Sequence, residues 1–526
     1  MKKYVLSIIL PCLLVSQACS KSGWGHSSPQ PSGNEVPHEM IVLGEQLDDP
    51  YSVSNVTKAL ASLYPTKAGS VPLTATDWYV RLLPRDDADL EAIRAQGVHF
   101  LDHPLDYRIV QEGDYYEDPA LPEGSITWQY AVVPTDYQAP DGVRCELLHE
   151  CYLAESENGT KSGPDWVDWE AVEREAFRLS GNADMLDDST KGGSSRTPMG
   201  RITILDPDYD SEAVGVAGVT VSCNVFVKFA RAYTDEEGYY EMKKSFSSAP
   251  RYRLVFSNQK GFNIGINAIF VKASVSTLGK HESSGCSVCI SSESDRKLFV
   301  RSVVNNATYD FYNACSSNGV KIKTPPAGLR IWLFSFLEGS VTPMTHQGAI
   351  LDIDAVQEIF GLYTPVVQIF MPDIIIGYKN KPSYRSIYHV VQHELAHSIH
   401  YMQVGSKFWD TFAFNMLRGY LSSGGITYGS GAEENAGYCE VSEMWAYYLE
   451  NVLYRQRYRS WDSTFGSQYW FHPEIFLYLD SRGMNYFKIF PVLTSDIHDR
   501  ESLKARLISY YPEFKSTINE AFNKYL

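Results

Sequence analysis

The chain alternates between stretches of helical and strand periodicity. Val53 to Leu63 carries apolar residues at mixed three- and four-residue spacing, the period of one helix face, whereas Asp77-Trp-Tyr-Val-Arg-Leu-Leu83 reads as a strand ended by Pro84. A short helix from Asp87 to Gln96, with Asp87 as its cap, and a strand over Ile126 to Pro134 complete the pattern. With an amphipathic helix at 166–182, residues 40–182 read as a compact α+β unit. A linker rich in Asp, Ser, Thr and Gly follows at 183–198, then a β-rich segment at 199–290. From 291 to 526 long helices dominate. They are expected at Arg296 to Cys315 and at roughly 384–403, 432–455, 472–481 and 500–525, with strands at Leu329 to Leu337 and Val366 to Tyr378, the latter interrupted by Pro372.

A length of 526 residues suggests several domains, and 44% hydrophobic with 21% charged residues is the balance of a globular chain rather than a disordered one. Lys and Arg total 46 against 63 Asp and Glu, a formal charge of −17. An acidic chain without a basic run is a poor nucleic-acid binder, because phosphate contact needs clustered Lys and Arg.

The first residues bear on the compartment. Lys2 and Lys3 precede an apolar run from Val5 to Val15, too short to span a bilayer, and the run ends in Ser-Gln-Ala-Cys19. Cys19 directly after Ala18 resembles a bacterial lipoprotein cleavage site. The resemblance implies that residues 1–19 are a signal, that Cys19 carries lipid, and that residues 20–39, rich in Ser, Gly and Pro, form a flexible tether. No Asp follows Cys19, which points to the outer membrane, with the lipid as the only membrane attachment. Cys145/Cys151 and Cys286/Cys289 are close enough in sequence for disulfides, but the odd number of remaining cysteines leaves at least one free thiol. The acidic stretch Glu112 to Asp118 lacks the spaced ladder of a calcium loop and reads as a solvated loop.

Within 199–290, the alternating runs Gly200 to Asp206, Val216 to Val221 and Arg251 to Phe256, with the turn Thr234-Asp-Glu-Glu-Gly-Tyr239, resemble the carboxypeptidase-regulatory-like, transthyretin-type β-sandwich. Such a module names no reaction.

The chemistry is concentrated in Val391-Gln-His-Glu-Leu-Ala-His-Ser-Ile-His400. On a helix, His393 and His397 sit one turn apart on one face, where two imidazoles hold one zinc ion, and Glu394 reaches the water at that ion as its base. Zinc needs a third protein ligand. The extended metzincin pattern is absent, because positions 400 and 403 are His400 and Gln403, and His389 and His400 read as packing or supporting residues. A carboxylate on the next helix is expected, and Glu443 ranks ahead of Glu440. Glu443-Met-Trp-Ala446 places a small residue one turn later, allowing close helix approach, and resembles the Glu-x-x-Ala element that follows HExxH in gluzincins. The gluzincin helix often carries an acid four residues after that ligand. Here Tyr447 occupies the place, leaving the group that orients the histidines unassigned. Tyr428 and Tyr438 are candidate oxyanion donors, against the plain reading of packing tyrosines.

These readings give a multidomain α+β chain: an N-terminal α+β domain, a small all-β transthyretin-like sandwich, and a mostly helical zincin domain at 291–526. The expected function is a lipid-anchored zinc metallopeptidase acting on peptide or protein substrates in the cell envelope, with Zn2+ held by His393, His397 and Glu443 and with Glu394 as base. The rival reading is a surface lipoprotein that binds a glycan or peptide through an idle zincin fold. A zinc hydrolase of non-peptide amides shares the same site.

Overall fold

A computed structural model describes residues 40–122, 126–155, 162–186, 195–209, 212–265, 275–317, 319–349, 372–422, 428–460 and 465–525. The signal, Cys19 and the tether lie outside the described residues, as does the part of the expected 366–378 strand before Pro372. Among the described residues are eleven α-helices and several sheets, with the longer helices gathered in the C-terminal part. No helix among them is long and apolar enough to cross a membrane.

The N-terminal part holds β1 (Val42–Gln46), α1 (Val53–Leu63), β2 (Asp77–Leu83), α2 (Asp87–Ala95), β3 (Phe100–Leu101), β4 (Tyr107–Gln111), β5 (Gln129–Pro134), β6 (Arg144–Cys151) and α3 (Trp169–Leu179). Strands β3-β5-β2-β6 form one antiparallel sheet, and β1 pairs with β4. The sheet's two faces follow from strand alternation. Val80, Leu82, Ala131 and Val133 pack on Ile93 of α2, while Tyr79 and Tyr130 join the main core. The cap of α2 is Asp86, whose side chain accepts from Asp89 N, one residue earlier than expected.

The next segment contributes β7 (Met199–Ile204), β8 (Val214–Gly215), β9 (Thr220–Val225), β10 (Lys228–Tyr233), β11 (Tyr239–Glu241), β12 (Arg251–Val255), β13 (Asn263–Gly265), β14 (Val275–Lys280) and β15 (Val288–Ile290). They form two sheets, β10-β9-β12-β14 and β11-β7-β15, with β8 on β7. Ile202 and Ile204 of one sheet and Val221, Cys223, Tyr252 and Leu254 of the other are fully buried in the same core. Strand β13 instead pairs in parallel with β18 (Arg330–Phe334), which pairs with β19 (Ile374–Gly377), so this segment shares a sheet with the C-terminal part. Between them lie α4 (Arg296–Ala314), β16 (Ser316–Ser317) and β17 (Val320–Lys321). Helix α4 is capped by Asp295 and buried on nearly every side. The acidic loop is tied down by cations: Glu112 pairs with Arg251, and Asp114 with Lys297 and Arg301.

The helical part comprises α5 (Tyr384–Val404), α6 (Ser406–Ser422), α7 (Ala436–Tyr458), α8 (Glu474–Ser481), α9 (Tyr486–Ile489), α10 (Arg500–Tyr510) and α11 (Lys515–Lys524). Helix α7 begins four residues later than the sequence suggests, after Asn435 in a left-handed conformation, so Glu433 and Glu434 precede the helix. The expected 500–525 helix divides at Tyr511-Pro512, because proline lacks the amide that would continue it. All seven described cysteines are free thiols. Cys145 and Cys151 sit at opposite ends of β6, and six residues of strand separate them by about 20 Å, beyond any disulfide.

Candidate metal centre

Helix α5 starts where the chain dictates. Ser383 accepts from Ser386 N, and Ser386 Oγ returns a bond from Ser383 N, a reciprocal cap. From Val391 to Tyr401 every residue is buried, and helices α4 and α7 both hydrogen-bond to it. Gln392 Nε2 donates to Ala307 O of α4 at 2.8 Å, and Trp445 Nε1 of α7 donates to Ala396 O at 3.0 Å. Ala446, the small residue expected to let α7 approach α5 closely, is fully buried, as is Ala396 on α5.

That packing brings three side chains to one point. His393 Nε2 and His397 Nε2 are 3.2 Å apart, and the two oxygens of Glu443 lie 3.4 Å from His393 Nε2 and 3.3 Å from His397 Nε2. Donors around a tetrahedral zinc ion, bonded at about 2.0–2.1 Å, stand about 3.3 Å from one another. The three residues therefore fit a metal ion with one coordination position left open. Exposures of 6% for His393, 3% for His397 and 0% for Glu443 put these groups out of reach of bulk water. Neither Glu443 oxygen has a hydrogen-bond donor in proper geometry among the described residues. Buried acceptors and lone pairs converging in this way call for a cation or a shared proton.

The electrostatics agree. Burial alone would raise the Glu443 carboxyl, but the adjacent imidazoles of His397 and His393 hold it down at about 2. Burial also opposes charge on His393, yet the carboxylates of Glu443 and Glu450 beside it keep its pKa well above the usual imidazole value. The centre is built to hold positive charge.

Glu394 stands beside the first histidine, 1% exposed, and burial pushes its carboxyl above the ordinary range. Its Oε2 accepts from Thr342 Oγ1 at 2.7 Å. Glu440, the competing carboxylate, points elsewhere and pairs with Arg500. Glu433 accepts from Ser430 N and Gly431 N in the preceding loop.

Two supporting groups escaped the sequence reading. Glu450, two turns after Glu443 on α7, accepts from His393 Nδ1 at 3.0 Å and from His389 Nδ1 at 2.7 Å. It fills the orienting role left unassigned at Tyr447 and fixes the His393 tautomer with its Nε2 lone pair toward the centre. The signal was available, since seven residues along a helix return to the same face. Thr342 had no local signal. It is placed by a long-range bridge, in which Val341 exchanges both backbone hydrogen bonds with Ile375 of β19.

His389 thus supports the site through Glu450. His400 is fully buried against Phe408 and Trp409, and burial holds its pKa down at about 3, a neutral packing residue. Tyr438 stacks on His498 and packs on Phe408, away from the triad. Tyr428 is in a left-handed conformation with φ 64°, its carbonyl held by Trp470 Nε1 and its hydroxyl 3.2 Å from that of Tyr447. Tyr447 packs its ring 4.5 Å from His393, so it, rather than either candidate, touches the centre. Tyr469 and Phe471 back this tyrosine pair. Trp409 and Phe412 wall the His397 side.

A second cluster, Asp49, His149 and Cys151, also gathers metal-type donors. There Asp49 Oδ2 and His149 Nε2 are 2.8 Å apart, a hydrogen bond rather than a metal-ligand edge, and Asp49 Oδ1 accepts from Tyr51 N. Its groups satisfy one another, which the triad's do not. Comparison with known proteins finds no matching family model, no matching curated protein and no matching solved structure.

Proposed function

We propose that the chain is a zinc-dependent metallopeptidase of gluzincin type, with His393, His397 and Glu443 as ligands and Glu394 as general base. The observation that carries this reading is the triad of buried donors at tetrahedral separations beside a buried carboxylate. When bound, zinc supplies a Lewis acid that polarises a scissile carbonyl and makes water acidic enough to attack near neutral pH.

The chain's own groups do the rest. Glu394 takes the proton from the attacking water and delivers it to the departing amine nitrogen, a role open to a buried carboxylate beside the metal ligands. Glu450 holds the His393 ring, through Nδ1, in the orientation that turns Nε2 inward. The aromatic walls of Trp409, Phe412 and Tyr447 exclude water from the histidines, which strengthens the electrostatics at the centre. We further propose export through the N-terminal signal and lipid attachment at Cys19, which place a peptide or protein substrate in the envelope.

The test is zinc content and peptide hydrolysis of wild type beside Glu394→Gln. One zinc per chain in both proteins, with turnover only in the wild type, supports the reading. A wild type without zinc after reconstitution overturns it and favours a binding protein.

A further inference from the structure

The base is gripped from outside its own helix. Thr342 Oγ1 lies 2.7 Å from Glu394 Oε2 and 2.9 Å from the Glu394 backbone oxygen, with Thr342 itself buried. The hydroxyl has one proton for two acceptors, and the shorter contact is to the carboxylate.

Thr342 is itself fixed on two sides. Val341 donates its N–H to Ile375 O at 3.0 Å and accepts from Ile375 N at 2.8 Å, adding this segment antiparallel to the edge of the β13-β18-β19 sheet. Its backbone groups turned to β19, Val341 leaves the next residue's carbonyl facing the other way, and there Trp409 Nε1 of α6 donates to Thr342 O at 3.0 Å. Pro343 adds a restriction, because the residue before proline is held in extended conformations. Thr342 thus joins three elements: the sheet edge, α6 and the helix that carries the base.

We propose that Thr342 is a positioning residue for catalysis, holding Glu394 Oε2 so that Oε1 is the oxygen that carries the proton. The inference rests on the peptidase reading. In the forward step an O–H bond of water breaks, its oxygen bonds the scissile carbon as the carbonyl π pair moves onto the carbonyl oxygen, and the proton goes to Oε1. In the second step the oxyanion pair re-forms the C=O bond, the C–N bond breaks, and Oε1 returns that proton to the nitrogen. Oε2 accepts from Thr342 throughout, since a carboxylate oxygen and a carboxylic carbonyl oxygen are both acceptors. The base therefore keeps one orientation through both transfers, and loss of that orientation slows chemistry without weakening substrate binding.

The test compares Thr342→Val, which keeps the shape and loses the hydroxyl, with Thr342→Ser, which restores it. The Val variant is expected to lose roughly 10- to 100-fold in kcat with KM within about twofold and zinc content unchanged, and Ser to recover most of the loss. A double-mutant cycle of Thr342→Val and Glu394→Ala, which removes both acceptor oxygens, on the zinc-free protein supplies a readout independent of turnover. Coupled groups give non-additive Tm shifts. Additive shifts, a Val variant with wild-type kcat, or a loss confined to KM or zinc content each overturn the positioning role. A wild type that binds no zinc and cleaves no peptide overturns the peptidase reading and this role with it, whereas an active wild type with an indifferent Val variant overturns this role alone.

Discussion

Glu450 Oε2 lies 3.0 Å from His393 Nδ1, and the same carboxylate reaches His389 Nδ1 with its other oxygen. A carboxylate in this position sets the tautomer and rotation of a ligand imidazole and raises its basicity. Replacing Glu450 by Gln removes the charge and keeps the shape. Zinc affinity should fall by about 10- to 100-fold, read by competition with a chromogenic chelator, with Glu450→Ala at least as severe. Unchanged affinity would mean that packing against Tyr447 alone orients His393.

The two carboxylates of the α7 motif should separate cleanly. Glu443→Ala removes one corner of the donor triangle and should abolish stoichiometric zinc binding. Glu440→Ala breaks only the pair with Arg500 and should retain one zinc per chain. Chelation should lower the Tm of wild type and Glu440→Ala but leave Glu443→Ala unmoved, because only a state that binds metal is stabilised by it.

Helix α7 is pinned at its far end. Arg457 donates to Asp206 Oδ2 from Nη2 at 2.7 Å and from Nε at 3.1 Å, and to Asp310 from Nη1 at 3.2 Å. Asp206 is fully buried, so Asp206→Ala leaves a largely buried guanidinium with Asp310 as its remaining carboxylate. The expected cost is about 3 kcal/mol in urea unfolding. A cost near zero would show that Asp310 and the surrounding tyrosine rings suffice.

Ala446→Leu tests the helix contact. Ala446 has no exposed surface, and Trp445 beside it bonds the backbone of α5. Overpacking there should cost about 1–3 kcal/mol and weaken zinc binding, because Glu443 lies one turn away on the displaced helix. A variant that loses stability but keeps full zinc affinity would mean that the helices part without moving the triad.

The legibility of this chain divides along sequence distance. Helix α1 and strand β2 have the bounds that periodicity predicts, and α5 begins at the residue after its serine cap. These depend on neighbours a few residues apart. The late start of α7 and the break at Pro512 are departures of the same local kind, one decided by a left-handed Asn435 and one by a missing amide.

The site divides in the same way. His393, Glu394 and His397 share a turn, so helix geometry alone places them together. Glu443 could be ranked above Glu440 from the small residue that follows it, but both stand on one helix, and only its rotation against α5 puts Glu443 at the histidines and Glu440 at Arg500. Glu450 shares the face of Glu443 by helical period, yet nothing in the sequence says which side chain it meets. Thr342 arrives from fifty residues upstream through one backbone bridge and one indole hydrogen bond. The sequence by itself determined that His393, Glu394 and His397 stand together, because they lie within one helical turn. Tertiary structure decided which carboxylate joins them, the Glu450 that bonds His393 and the Thr342 hydroxyl that bonds Glu394, because burial and long-range packing select among groups that local periodicity leaves equivalent.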